Sequence, residues 1–387
     1  MSKSSVRENL VVNKNLPEEV PGRSRNVADV ASLYELTRDD LATALGAGPK
    51  YRVDQLWDGL WREARTVGEI TTLPGSLRTR LAEQFPPSLK VVNDVSSDQG
   101  STRKWVFELE GGATIETVLM AYDDRVTVCV SSQAGCAMNC SFCATGQAGF
   151  TRHLRVGEVL EQVLFAAREA APRRLSNVVF MGMGEPLANY DVTVEVVRRL
   201  HEFRGMSARH LTVSTVGVAP AIERLAREGL PLTLAVSLHA ANDETRDQLV
   251  PLNKRYNLER LRAACQDWNE TTGRRLSFEW ALIDGVNDTD RALDELARFA
   301  RPLHAHVNLI PLNPTPGYLV MGTPMERVRE FRDGLEARGV TATVRRTRGR
   351  SIDAACGQLA AVTNAKGRSV RLRQRTLPPE LTSAPHE

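Results

Sequence analysis

The sequence predicts an α/β protein whose centre is a partial (β/α)6 barrel, preceded by a small helical domain and a β-hairpin. Three observations support this fold class. From residue 126 onward, short β-branched or apolar runs alternate with amphipathic helical stretches. Strict alternation of strand and helix implies a parallel sheet with right-handed crossovers. Glycine or polar residues follow most of the strands, at the rim where the functional loops of parallel barrels gather.

The chain begins with a polar segment and then changes its hydrophobic period twice. Residues 1–28 mix charges with prolines and carry few large apolar side chains, so they cannot offset the entropy of ordering, and we expect a disordered tail. Residues 29–89 repeat apolar side chains at helical spacing, which predicts a helical accessory domain. Residues 90–121 alternate on both sides of Glu110-Gly-Gly112, which predicts a hairpin that bridges to the barrel.

Residues 122–350 are expected to form the barrel, and residues 351–387 a C-terminal loop and a basic tail. The predicted strands of the barrel span residues 126–130, 177–181, 211–213, 232–237, 276–283 and 306–310. Its predicted helices span residues 157–171, 192–203, 219–228, 258–270, 290–301 and 324–338.

The composition is that of an ordinary globular protein, with 42% hydrophobic and 25% charged residues in a chain of 387. The net charge is only +3, but nine Lys or Arg and a single acid lie between Arg345 and Arg375. This stripe suits RNA phosphates, although its part beyond Lys366 is equally explained as a solvated tail. Six unevenly placed cysteines, a polar N-terminus and the lack of a long apolar run predict a cytoplasmic protein without membrane contact.

Three cysteines in the stretch Cys136-Ala-Met-Asn-Cys140-Ser-Phe-Cys143 follow the first predicted barrel strand. Thiolates are soft ligands, and three of them converging from one loop suit iron–sulfur ligation. A closed structural metal site usually needs four protein ligands, so a loop that supplies three leaves one position for a substrate. The spacing alone also allows half of a zinc knuckle whose other ligands lie elsewhere.

The spacing Cys-x3-Cys-x2-Cys resembles the signature of the radical S-adenosylmethionine (radical SAM) superfamily. Within it, the chain resembles the bacterial methyltransferases that act on carbon 2 of adenine in both ribosomal and transfer RNA. The resemblance covers about residues 30–365 and is carried by four stretches in the family's order: Cys129-Val-Ser-Ser-Gln-Ala-Gly-Cys136, Met181-Gly-Met-Gly-Glu-Pro186, Ser237-Leu-His239 and Asp353-Ala-Ala-Cys356-Gly-Gln-Leu.

The resemblance implies a set of cofactors and partners. It implies one 4Fe-4S cluster held by Cys136, Cys140 and Cys143, and two molecules of S-adenosylmethionine per turnover. It also implies an electron donor such as a flavodoxin-type protein, and we expect the enzyme to be a monomer. The residues implied around S-adenosylmethionine are Gly184, Glu185, Ser214, Ser237, Leu238, His239 and Asn313. Without the resemblance, His239 would more often be a core histidine and Gly182-Met-Gly184 a tight turn.

The resemblance also implies three catalytic residues. Carbon 2 of adenine is electron-poor and cannot take a methyl group from a sulfonium as an amine can. In the family, a cysteine matching Cys356 first receives a methyl group, which loses a hydrogen atom and adds to carbon 2 as a methylene radical. A cysteine matching Cys129 then forms a transient disulfide with Cys356, and a glutamate matching Glu116 removes the carbon-2 hydrogen. Judged alone, Cys129 is equally an inert strand thiol, as Cys265 is expected to be, and Glu116 a solvated hairpin residue.

Two other functions stay open from the sequence. An enzyme of the same mechanism would methylate carbon 8 of adenine, and identification of the product separates it from the carbon-2 enzyme. A zinc-stabilised RNA-binding module would use the basic C-terminal stretch without any catalysis. The metal content of anaerobically purified protein separates this module from both enzymes.

Overall fold

The computed structural model describes residues 32–46, 48–313, 315, 318, 320–345 and 348–359, so the predicted tail at 1–28 and the basic stretch beyond Lys366 lie outside the described residues. Within these residues the strands are β1 Leu89–Ser97, β2 Thr102–Leu109, β3 Thr114–Ala121, β4 Val126–Cys129, β5 Gln133–Gly135, β6 Phe150–His153, β7 Asn177–Phe180, β8 Leu211–Thr215, β9 Thr233–Ser237, β10 Ser277–Leu282, β11 His306–Pro311 and β12 Ala342–Val344. The α-helices are α1 Arg38–Leu45, α2 Tyr51–Trp57, α3 Gly75–Gln84, α4 Ala144–Ala148, α5 Val156–Glu169, α6 Tyr190–Glu202, α7 Ala219–Ala226, α8 Asp243–Leu249, α9 Leu258–Thr272, α10 Asp290–Ala300 and α11 Met325–Ala337.

Most of the strands join one sheet, in the order β1-β2-β3-β4-β7-β8-β9-β10-β11-β12. Strands β1 to β4 pair antiparallel with one another. From β4 to β12 every neighbouring pair is parallel. The alternation of parallel strands with helices confirms the predicted α/β class, and β4 and β7 to β11 match the six predicted strands to within two residues at each end.

The sheet is larger than the sequence predicted. Strand β12 extends the parallel part by one strand, and its three residues are too few to show a hydrophobic period. Strands β2 and β3 form the predicted hairpin, but β1 pairs with β2 and β4 pairs with β3. The hairpin is therefore part of one sheet with the barrel strands. The side chains of β1 are largely exposed and show no clear alternation, which explains why the sequence did not reveal this strand.

Helix α5 illustrates how the outer face of the sheet is covered. Its apolar side chains recur at helical spacing and are buried, and Phe165 packs edge-on against Trp105 and Phe107 of β2 at centroid distances of 5.1 and 5.2 Å. The same helix buries the amide side chain of Gln162 against the end of β4. Burial of the helix therefore also fixes the start of the cysteine loop.

The predicted helical domain packs on the end of α6. Phe203 lies 4.7 Å from Trp57 and 5.3 Å from Trp61 between ring centroids. Arg199 donates to the Tyr34 carbonyl at 2.9 Å, and Arg204 donates to the Trp61 carbonyl at 2.7 Å. The helical domain is thus joined to the outer helices of the barrel, including the start of α5, where the Gly157 amide donates to the Glu35 carboxylate at 2.9 Å. Among the described residues, no helix combines the length and the apolarity that crossing a bilayer requires.

Candidate functional site

The three cysteines of the loop after β4 line one cavity at the carboxyl ends of the parallel strands, called here the main cavity. The loop is fixed on both sides. Gly135 has φ +75°, and a Cβ there would lie 1.9 Å from the Gly149 carbonyl oxygen, so only glycine allows β5 to approach this close. The Cys136 amide donates to the same carbonyl at 2.9 Å, and the Ser141 amide donates to the Leu249 carbonyl at the end of α8 at 3.1 Å.

The chemistry of the three thiols fits an iron–sulfur cluster. Burial raises the pKa of the Cys136 thiol and of the Cys140 thiol well above their ordinary values, so their ionised form needs a neighbouring positive charge such as iron. The described part of the chain contains no group of three or more His, Cys, Asp or Glu side chains placed around a single metal ion. Three thiols from one loop are a donor set that would hold an iron–sulfur cluster and leave one metal position for another ligand.

The glycines after β7 pack the next strand end against the cysteine loop. A Cβ on Gly182 would lie 2.7 Å from the Val130 carbonyl group, and one on Gly184, which has φ +104°, would lie 2.6 Å from the Gln133 side chain. The Glu185 amide donates to the Gln133 side chain at 2.8 Å. Both glycines line the main cavity. The close packing of the two strand ends is enough to explain why glycine stands at both positions, without a bound ligand.

Glu185 carries a buried carboxylate into the main cavity. Its two oxygens accept hydrogen bonds from the Leu187 amide at 2.9 Å and from the Val216 amide at 2.8 Å. Burial outweighs these hydrogen bonds and raises the pKa of Glu185 to about 7. In its ionised form this carboxylate would offer an ammonium group in the cavity a negative partner that is held in place by two backbone amides.

Ser214, Ser237 and His239 end the next two strands and line the same cavity. The Ser214 hydroxyl donates to the Phe180 carbonyl at 2.6 Å. His239 accepts the Ala281 amide at Nδ1 at 2.9 Å, so its ring proton resides on Nε2. Burial, aided by the nearby Arg246, lowers the pKa of His239 to about 3, which keeps the imidazole neutral. Leu238 differs from the others, since its side chain lies in the hydrophobic core and only its backbone faces this region.

Arg246 was not singled out from the sequence, although it holds two of these strand ends. Its guanidinium group is fully buried and donates to the carbonyls of Leu238 at 3.0 Å and Val216 at 2.7 Å, and to the Asn253 side chain at 2.9 Å. Burial lowers the pKa of Arg246 to about 10, so the group remains charged at neutral pH. The Arg246 charge lowers the pKa of the Cys140 thiol, against the larger opposing effect of burial.

Cys356 is exposed and lies on a loop that closes over the cysteine loop. The Asn313 side chain donates to the Cys356 carbonyl at 3.1 Å, and the Ala144 amide, beside Cys143, donates to the Gly357 carbonyl at 2.8 Å. Thr145 also hydrogen-bonds the Leu359 carbonyl. These contacts place Cys356 and Asn313 in the lining of the main cavity together with the three loop cysteines.

Cys356 also lines a second, smaller cavity with Cys129, called here the side cavity. Burial raises the pKa of the Cys129 thiol to about 12, and the proximity of Cys356 adds to this effect. Arg345 lines both cavities, and its interactions with Cys356, Glu279 and Cys129 raise the pKa of its guanidinium group. The sequence assigned no role to Arg345 beyond the basic stripe, yet it supplies the cation next to both thiols.

Glu116 is not the solvated hairpin residue that one interpretation of the sequence allowed. Its side chain is buried, and its carboxylate lies 3.2 Å from the Lys104 ammonium group. The Glu116 carbonyl accepts the Ser131 hydroxyl at 2.6 Å, just beyond Cys129. Glu116 does not line the main cavity or the side cavity, and its relation to the thiols is through the sheet, since β3 pairs with the strand that carries Cys129.

The chain is similar to known proteins over most of its length. The family model of the radical SAM superfamily matches residues 130–300. The chain is 50% identical over 377 residues to a probable dual-specificity RNA methyltransferase RlmN of Parafrankia sp. (strain EAN1pec), a match that covers 92% of this chain and 98% of the relative. It is 48% identical over 354 residues to the protein of the same name from Thermobifida fusca (strain YX), covering 88% and 97%.

A solved structure of a related protein has the same fold as this chain. The crystal structure of a radical SAM methyltransferase from Sphaerobacter thermophilus superposes with a TM-score of 0.83 and is 50% identical to this chain. The match covers 86% of this chain and all of the other. The likeness therefore extends over the barrel and the elements attached to it, and not over the cysteine motif alone.

Proposed function

Because the chain belongs to the RlmN family of dual-specificity RNA methyltransferases, within the radical SAM superfamily, we propose that it methylates carbon 2 of an adenine in ribosomal RNA and in transfer RNA. Membership of the superfamily implies a 4Fe-4S cluster and the use of S-adenosylmethionine. The observation that carries the proposal is the position of Cys356, which lines the main cavity with the three loop cysteines and the side cavity with Cys129.

The residues of the main cavity are assigned to the cofactors. Cys136, Cys140 and Cys143 hold the cluster, and Glu185 with the backbone of Gly184 receives the ammonium group of S-adenosylmethionine. Ser214, Ser237, Leu238, His239 and Asn313 are assigned to the rest of that molecule. When bound, the cluster and S-adenosylmethionine supply the one-electron chemistry that an unactivated aromatic carbon requires.

Cys356, Glu116 and Cys129 are assigned to the transfer itself, and Arg345 to supporting it. The Cys356 thiolate takes up the methyl group and carries it to the RNA. The radical adduct gives up one electron to the redox chain that supplied it, and Glu116 accepts the proton from carbon 2. The Cys129 thiolate then attacks the Cys356 sulfur, the carbon–sulfur bond breaks towards carbon, and that carbon takes up a proton to become the methyl group of the freed RNA. The disulfide that remains is reduced by the electron donor before the next turnover. Arg345 stabilises the thiolate forms through its charge, since burial alone disfavours ionised Cys129. We further propose two molecules of S-adenosylmethionine per turnover, a flavodoxin-type electron donor, a monomeric enzyme and a cytoplasmic location.

Identification of the methylated base tests the proposal. Anaerobic enzyme, S-adenosylmethionine and a reductant are incubated with unmodified ribosomal RNA and with transfer RNA, and the RNA is digested and analysed by mass spectrometry against nucleoside standards. We expect 2-methyladenosine from both RNAs with the wild type and none with Cys356→Ala. Methylation of carbon 8 would replace the proposal with its sister activity. Protein that holds zinc instead of about four irons and leaves the RNA unmodified would support the RNA-binding module.

A further inference from the structure

Lys104 is a buried lysine that the assigned roles leave unused. It lies on β2 with 7% of its surface exposed, and its ammonium group is 3.2 Å from the Glu116 carboxylate on β3. Burying a charge costs free energy unless the charge is paired and hydrogen-bonded, so the partners of this lysine indicate what it does. Its ordinary surface counterpart on the neighbouring strand is Lys90, which pairs with Glu108 but has a side chain 75% exposed.

The same ammonium group reaches the loop that carries Cys356. Lys104 donates a hydrogen bond to the Asp353 carbonyl at 3.1 Å, three residues before Cys356. Asp353 has φ +50°, a backbone conformation that costs free energy in a residue other than glycine and persists only where neighbours hold it. Lys104 is thus one of the groups that hold the turn leading to Cys356.

The sheet register explains why these groups meet. Lys104 pairs with Val118 on β3, and Val118 pairs with Cys129 on β4, so all three side chains point to the same face. Glu116, two residues before Val118, points to this face as well. A single face of the antiparallel strands therefore carries Lys104, Glu116 and Cys129, and the Cys356 loop lies against it through Lys104.

We propose that Lys104 is a positioning residue that sets the Glu116 carboxylate and the Cys356 loop at a fixed distance from each other during proton removal from the substrate adenine. The inference rests on the proposed function, in which Glu116 accepts that proton. Lys104 acts through its ammonium group, which lies 3.2 Å from the Glu116 carboxylate and orients it, and through its hydrogen bond to the Asp353 carbonyl.

Three variants separate this role from a general loss of structure. Lys104→Met removes the charge and the hydrogen bond, Lys104→Gln removes the charge but keeps a donor for Asp353, and Lys104→Arg keeps both. Lys90→Met is the matched control on the exposed face of β1. The Cys356 loop keeps its other contacts in all of them, including the hydrogen bonds of Gly349 to Asp98 and of Arg348 to Ser101.

Four quantities are measured for each variant: iron content, methyl groups on Cys356, the rate of RNA methylation, and the amount of RNA covalently bound to protein on a denaturing gel. For Lys104→Met and Lys104→Gln we expect iron and Cys356 methylation within about threefold of wild type, methylation of RNA slowed ~100-fold as for loss of a general base, and accumulation of the covalent RNA complex. Deuterium at carbon 2 of the adenine should slow RNA methylation by these two variants further. Lys104→Arg should methylate RNA at least tenfold faster than Lys104→Met.

The outcomes that overturn the inference are distinct from those that overturn the proposed function. Normal RNA methylation by Lys104→Met and Lys104→Gln, while the wild type makes 2-methyladenosine, removes the role of Lys104 alone. Parallel loss of Cys356 methylation and RNA methylation without a covalent complex or an isotope effect would also overturn it, because that pattern is structural. A wild type that makes no 2-methyladenosine contradicts the proposed function and takes this inference with it.

Discussion

The parallel and the antiparallel parts of the sheet differ in what they bring to the site. The carboxyl ends of β4 and β7 to β11 supply the three loop cysteines and the residues assigned to S-adenosylmethionine. Strands β2 and β3 supply Lys104 and Glu116, and the Cys356 loop rests partly on them. Parallel strands deliver their loops to one rim, whereas antiparallel strands offer a flat face with paired side chains. Under the proposed assignments the cofactors would lie at the parallel strand ends and the proton acceptor on the antiparallel strands, with β4, which carries Cys129, belonging to both parts.

The two thiol sets also differ in their surroundings. Cys140 and Cys129 are both buried, but Cys140 lies within a loop that is fixed by backbone hydrogen bonds, while Cys129 is a strand residue that faces Cys356 across the side cavity. The loop cysteines are suited to hold a group in place. The pair Cys129 and Cys356 is suited to exchange one. Substitutions that affect one set and spare the other test this division.

The largest effect is expected from the parallel side. Cys140→Ala should lose most of its iron, all cleavage of S-adenosylmethionine and all methylation of RNA, because a cluster that loses one of three protein ligands is not retained. Iron analysis and anaerobic assays of both activities measure this. Cys265→Ala, in a buried helix position away from both cavities, serves as the control and should keep all three. Retention of wild-type iron by Cys140→Ala would contradict the ligand assignment.

Cys356→Ala should abolish RNA methylation without affecting the cofactor site. We expect no methylation of RNA, because the residue that carries the methyl group is missing, while iron content and cleavage of S-adenosylmethionine stay within about twofold of wild type. Comparison of the two activities in one preparation provides the measurement. If the variant methylated RNA at the normal rate, the carrier role of Cys356 would be wrong.

Cys129→Ala should sharpen the comparison within the thiol pair. Without the second sulfur the RNA stays joined to Cys356, so we expect one covalent RNA complex per active enzyme and turnover reduced by at least ~100-fold. A denaturing gel with labelled RNA detects the complex. Free methylated RNA at the normal yield would show that another group releases the product.

The smallest effect concerns pH. Burial raises the pKa of Glu185 to about 7, so the carboxylate that should bind the ammonium group becomes protonated as the pH falls below that value. We expect the affinity for S-adenosylmethionine to weaken about tenfold between pH 8 and pH 6, since only the ionised share binds. Calorimetric titration across this range measures it. Glu185→Gln should bind weakly and without this pH dependence, and an equal pH dependence in that variant would contradict the role of Glu185.

The sequence predicted the barrel strands because their apolar runs are short, separate and bounded by turn residues. It also predicted the cysteine loop, since three thiols within eight residues are chemically unusual. Lys104 and Arg246 could not be predicted, because nothing in their local sequence is unusual. Lys104 looks like the solvent-facing residue of an alternating hairpin, and Arg246 lies in a polar helical stretch that resembles a solvated surface. Only the approach of the Cys356 loop and of the two strand ends buries them.

The contact between Lys104 and Asp353 joins residues 249 positions apart in the chain. During synthesis the three loop thiols and all the strands up to β12 leave the ribosome before residues 348–359 do. The segment that covers the rim is therefore the last of these parts to be made, and the contacts of Cys356 can form only after every strand of the sheet has been synthesised. A message interrupted between these points would yield a barrel with all three loop thiols but without the residue that delivers the methyl group.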